Sequence, residues 1–292
     1  MRVKMLIVIC LTNLLILSFI SSVNAKDRPE FNAIYGQGKQ TLRIATGSPG
    51  ALGLLREIAI PFCAENNCQI KWLKRGSGAS LQALKKGLVD VVMVHAPKAE
   101  QEAIDNGWAT ARTLLGSNQF YIVGPPSDPA QIKSAKSAAE AFKMIAETKS
   151  AFFSRADNSG THKKEIYIWD QAGINPSGDW YFETHDFMGP TLMKADKRSG
   201  YFMTDSSTFV VKQAKLNNLI PLFKKDPLLI NVYHALMAKP KKYPNSNASL
   251  ARKFLRYIGF GPGQAMYRKY GLDRYGKPLY KDAFYAQQFE HK

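Results

Sequence analysis

Four short segments of this chain combine hydroxyl side chains with glycine or aspartate: Thr46-Gly47-Ser48, Gly76-Ser77-Gly78-Ala79-Ser80, Asn158-Ser159-Gly160-Thr161 and Thr204-Asp205-Ser206-Ser207. Each lies between a predicted strand and a predicted helix. At a helix start the first backbone N–H groups have no partner and the dipole is positive, so an anion is stabilised there. Ser and Thr add O–H donors, and Gly lets a ligand approach the backbone closely. One such loop is an ordinary N-cap. Four in one chain point to an anion held by several helix ends together. Arg155 is the sharpest single candidate, because it stands just after a predicted strand and just before Ser159-Gly160-Thr161. There its guanidinium fork can meet oxygens of the same anion. The competing reading of Arg155 is a surface ion pair with Asp157 or Glu165.

Other chemistries lack their parts. Gly76-Ser77-Gly78 misses the third glycine of a dinucleotide fingerprint, and no Gly-Lys-Ser/Thr sits at P-loop spacing. His95 follows an apolar strand and can face a cleft or serve as a structural histidine. His162, His185, His234 and His291 show no paired metal spacing, so neither a metal nor a cofactor is expected. Ser159 with His162 reads as a helix cap, not a nucleophile and base. No nucleophile, base and orienting group stand in a plausible arrangement, so an enzyme is not the expected reading.

The elements that must position these loops alternate. Leu42–Ala45, Gln69–Leu73 and Val89–Val94 read as strands, each followed by a loop and a helical pattern. Pro61 is expected to kink or split the first of those helices. Residues 26–40 read as an extended arm. After a strand at Phe120–Val123 the alternation restarts, with strands at Ala151–Phe153, Tyr201–Met203, Leu219–Phe223 and Asn231–Met237. The pattern predicts an α/β fold with largely parallel strands in two lobes, one over 26–121 and one over 122–239. The helices of 240–292 pack back onto the first lobe, and a ligand sits in the cleft between.

The chain has 292 residues, 45% of them hydrophobic, which excludes a disordered or collagen-like protein. Forty Lys and Arg against 23 Asp and Glu give a charge of +17, which favours an anionic partner. Arg2 and Lys4, the apolar run from Met5 to Ile20 and the small residues ending at Ala25 read as a secretory signal peptide over 1–25. Export to the periplasm makes a nucleic-acid partner unexpected. Cys63 and Cys68 remain in the exported chain, and both a disulfide and two separate buried thiols are open.

The run Phe153-Ser154-Arg155-Ala156-Asp157-Asn158-Ser159-Gly160-Thr161-His162-Lys163-Lys164-Glu165 resembles the signature of the substrate-binding proteins of tungstate ABC transporters. Asp90–Ala96, Phe120–Pro125, Ile174–Tyr181 and Asp226–Leu229 resemble that family too, in order over about 42–240. The resemblance implies a two-lobed periplasmic binding protein fold of type II. It implies a tetrahedral oxyanion, tungstate or molybdate, held without a metal and passed by a monomer to a membrane permease. Carried over residue by residue, it places the ligand on Thr46, Gly47, Ser48, Ser77, His95, Arg155, Ser159, Gly160 and Thr161. The family's first loop is typically Thr-Thr-Thr-Ser, and Ala45 and Gly47 replace two of its hydroxyls; a Gly47 N–H can stand in for one. Phosphate near pH 7 keeps a proton and needs an acceptor such as a carboxylate. His95 stands where an acid would follow Val94, although Asp157 or Asp205 remains available. Phosphate, sulfate or an organic anion in the same cleft, or a sensory adaptor of the same fold, are the alternatives.

Overall fold

A computed structural model describes residues 29–290; the expected signal peptide lies outside them. The first third of the chain runs β1 (Ala33–Tyr35), β2 (Gln40–Thr46), α1 (Ser48–Ala51), α2 (Leu54–Asn66), β3 (Cys68–Lys74), α3 (Ser77–Lys85), β4 (Val91–Val94) and α4 (Pro97–Asp105). A long strand, β5 (Ala109–Gly124), leads to α5 (Ala138–Glu147), β6 (Phe152–Ser154), α6 (Gly160–Gln171), β7 (Tyr181–Glu183), α7 (Met188–Lys197), β8 (Tyr201–Asp205), α8 (Ser206–Lys212) and β9 (Ile220–Phe223). A second long strand, β10 (Ile230–Ala238), returns to α9 (Ala248–Gly259), α10 (Gly263–Lys269), α11 (Leu272–Tyr275), β11 (Lys281–Asp282) and α12 (Ala283–Ala286).

The strands join in the order β1-β3-β2-β4-β10-β5-β8-β6-β7, with β9 and β11 also on β5. Two parallel sets, β3-β2-β4 and β7-β6-β8, flank the antiparallel ribbon of β5 and β10. Largely parallel strands were the expectation, and the ribbon corrects it. Residues 109–119 mix Thr, Arg, Ser, Asn and Gln with no clean alternation, so only the apolar end of β5 is readable. Within the described part of the expected extended arm, Ala33–Tyr35 adds an edge strand to β3. Pro61 does not break α2, which is continuous. It deprives the Glu57 carbonyl of its helical donor, and Glu57 is exposed, so water can serve instead.

Apolar burial falls on either side of the ribbon. One core packs Phe62 of α2 edge-on against Phe254 of α9, with ring centres 5.1 Å apart. Leu81, Val92 and Trp108 fill the opposite face of the same sheet half. A separate core of Phe142, Phe152 and Trp169 lies beneath β6–β8. Cys63 and Cys68 are free, buried thiols in the first core. The ends of the parallel strands face each other across the gap, and α1, α3, α6 and α8 start there, the usual ligand position in open α/β sheets.

Candidate functional site

A cavity of about 320 Å³ opens where the two sheet halves meet. Gly47, Ser48, Ser77 and His95 enter its wall from one half and Arg155 from the other. Ser77 opens α3, and its hydroxyl oxygen accepts the His95 backbone N–H at 3.1 Å, which leaves the Ser77 proton free for another acceptor. Ser48 opens α1, and its hydroxyl donates to Asp205 at 3.3 Å.

Arg155 is 4% exposed. Its Nε donates to the Asp186 carbonyl at 3.1 Å and its Nη2 to Asp157 Oδ2 at 2.5 Å. The ion pair with Asp157 exists, but it is a buried clamp and not a surface pair. Glu165 takes no part; it accepts Ser154 Oγ–H at 3.0 Å and Tyr181 O–H at 2.7 Å. Burial raises the Glu165 pKa from 4.5 to about 7. Burial, and then the nearby Arg155 charge, lowers His95 to about 4, so its ring is neutral at pH 7.

The remaining expected residues sit at the same seam but outside the cavity wall. The Thr46 hydroxyl donates to the Met93 carbonyl at 2.8 Å and is spent inside the sheet. Ser159 caps α6 by accepting the His162 N–H at 3.3 Å, while its own N–H goes to Asp157. Gly160 lies against His95 so closely that an added Cβ would fall 2.6 Å from the His95 carbonyl and 2.5 Å from its ring. The seam is therefore shut on that side, with α6 docked on the α3 and β4 loops. Thr161 is fully buried, and its hydroxyl has no partner among the described residues.

Several wall residues carry no signal in the sequence. Phe187 and Met188 bring the start of α7, and Lys74 lies over the Phe187 ring at 4.3 Å, with Arg155 at 5.9 Å from its centre. Lys212, Tyr233 and Arg274 come from α8, β10 and α11. Lysines and arginines are spread along the whole chain, so only the fold selects these. Among the described residues no carboxylate lines the cavity. Asp205 is buried and takes up Thr208 N–H, Thr208 O–H, Ser48 O–H and Asn118 N–H. Neither it nor Asp157 is left as an acceptor facing the cavity. Among the described residues there is no cluster of His, Cys, Asp and Glu suited to a metal, and no helix long and apolar enough to cross a membrane.

The chain matches the PBP superfamily domain over residues 33–259. It is 35% identical over 259 residues to the tungstate-binding protein TupA of Peptoclostridium acidaminophilum, spanning 88% of this chain and 90% of that protein. The crystal structure of the tungstate ABC transporter from Geobacter sulfurreducens is similar at 38% identity and a TM-score of 0.70, over 78% of this chain and 97% of that one. TupA from Desulfovibrio alaskensis gives 35% identity and the same TM-score, over 83% and 98% of the two chains.

Proposed function

The chain belongs to the tungstate ABC-transporter substrate-binding family of the PBP superfamily, and from that premise we propose that it captures tungstate, with molybdate next, and hands it to a membrane permease. It acts in the periplasm, with its leader cut after Ala25, as a monomeric carrier with no catalytic step. The ligand sits in the cleft between two lobes that meet at the β5–β10 ribbon. The observation that carries the reading is Arg155, buried in the wall of the cavity that Gly47, Ser48 and Ser77 also line.

Binding follows from replacing the anion's hydration shell. Arg155 supplies one positive charge, already fixed by Asp157 and Asp186. Ser77 supplies an O–H whose oxygen is already engaged. The starts of α3 and α7 leave backbone N–H groups without an intrahelical acceptor; α1 has Pro49 in its first turn, and its Gly50 and Ala51 N–H groups donate to Gly47. Thr161 stands at the seam with a hydroxyl that has no partner among the described residues. A wall of donors without a free carboxylate favours an anion that carries no proton, which tungstate, molybdate and sulfate satisfy. A larger or more highly charged anion is the second reading, favoured by Lys74, Lys212 and Arg274 in the same wall. Calorimetry on protein stripped of ligand, with tungstate, molybdate, sulfate and phosphate in turn, tests the proposal. Submicromolar binding of tungstate is expected, and no heat from any of the four refutes it.

A further inference from the structure

We propose that the Tyr233 hydroxyl is a further anion donor of this cleft, supplied by the crossing strand β10 and belonging to neither set of helix starts. The proposal rests on the oxyanion reading of the cavity. Tyr233 is 1% exposed and lines the cavity wall together with His95 and Arg155. Its hydroxyl is buried with no partner in hydrogen-bond geometry among the described residues. A buried polar group in that condition is destabilising, and native proteins rarely leave one without a ligand, water or ion to meet it.

Its neighbours define what it can do. Arg155, already assigned to the anion, lines the same cavity, and Asp205 is the charged group that acts on the phenol. Burial, followed by the Asp205 charge, holds the phenol protonated well above its ordinary range. At neutral pH it is therefore a proton donor. The neighbouring amides are engaged elsewhere: Asn118 Nδ2 donates to Ser207 at 2.8 Å and Asn231 Nδ2 to Asn118 Oδ1 at 2.8 Å. The ring is fixed between His95, 4.8 Å centre to centre, and Tyr280, 5.9 Å away and nearly perpendicular. Tyr267 and Tyr280 also bury hydroxyls without a partner among the described residues, but neither reaches the wall of this cavity. Such an O–H can donate to an unprotonated oxygen of the anion.

The test compares Tyr233→Phe with the wild type in two readouts: tungstate affinity by calorimetry, and melting temperature without ligand. Affinity is expected to fall at least about tenfold, as for a lost buried hydrogen bond to a charged group. The ligand-free melting temperature is expected to stay level or rise, because phenylalanine fills the same space without an unpaired hydroxyl. Unchanged affinity beside normal wild-type binding overturns the proposal and leaves the oxyanion reading standing. A wild type that binds no oxyanion removes the reading itself. A drop in ligand-free stability with unchanged affinity assigns the hydroxyl a structural role and also overturns the proposal. If the variant does not fold, the wild type labelled with carbon-13 at tyrosine Cζ, with the Tyr233 resonance assigned by through-space contacts to the His95 and Tyr280 rings, decides: that resonance must shift with tungstate, and no such shift overturns the proposal.

Discussion

Removing Arg155 is the most direct perturbation of the proposed site. In Arg155→Ala the anion loses a charge-assisted contact, a loss of about 1.5–3 kcal/mol. A second contribution comes from Asp157. In the wild type its Oδ2 is held by Arg155 at 2.5 Å. In the variant that carboxylate keeps its charge beside the cavity without the guanidinium that held it. A fully buried carboxylate stripped of its partner costs about 3–5 kcal/mol. The Asp157 side chain is 19% exposed, so water meets part of that cost, and its remaining effect on binding is repulsion of an incoming dianion. Together these give a loss of about 3–4 kcal/mol, or two to three powers of ten in affinity at about 1.4 kcal/mol each. Calorimetry with tungstate measures it, and circular dichroism checks that the variant is folded. Adding Asp157→Asn to Arg155→Ala should restore about tenfold, because the repulsion is removed while the lost contact is not. An affinity within threefold of the wild type for Arg155→Ala would refute the placement of the anion on this guanidinium.

Gly160→Ala forces a methyl group against the His95 ring and carbonyl, so the seam should close poorly and tungstate should bind about tenfold more weakly, an overpacking penalty of about 1–3 kcal/mol; unchanged affinity would show that the seam yields without cost. Ser77→Ala removes an O–H from the wall and leaves the His95 N–H without its acceptor, and should also weaken binding by about tenfold. Glu165 holds a proton to about pH 7 in the folded protein and to about 4.5 unfolded. Its contribution to stability is thus full below pH 4.5 and fades as pH rises to 7. Glu165→Gln should gain melting temperature relative to the wild type across that window, and a constant difference between the two contradicts this. Cys63 and Cys68, free and buried, should resist thiol reagents in the native state and both react on unfolding; no reaction after unfolding would mean that they are bridged.

The legible parts of the fold are those whose physics is local. Val91–Val94 announces a buried strand by composition, and Ser159-Gly160-Thr161 announces a helix start by its side-chain cap. The same local rule placed Gly47, Ser48, Ser77 and Arg155 in one wall, because the loops at strand ends of this topology converge. It does not foresee that the Thr46 hydroxyl answers a sheet carbonyl across from it, and it brings Ser159, Gly160 and Thr161 to the seam but not into the cavity wall. Sequence spacing does not say which of two nearby acceptors a hydroxyl will choose. Tyr233 and Arg274 were invisible for another reason. A tyrosine in a strand and an arginine near the chain end carry no local mark, and only the crossing of β10 and the fold-back of α11 bring them to the cavity. The ribbon itself escaped because half of β5 is polar and bulged.

That ribbon has a mechanical meaning. The register between β10 and β5 slips at Tyr233/His234, opposite Gly116, whose φ of 156° and whose contact with the Lys281 carbonyl leave no room for a side chain. A bulge bends its strand and adds local twist, and the ribbon carries two register shifts, at Tyr233/His234 and at Ala235/Met237. The angle at which the two sheet halves turn Ser77 and Arg155 toward one cavity is therefore set within this short stretch of β10.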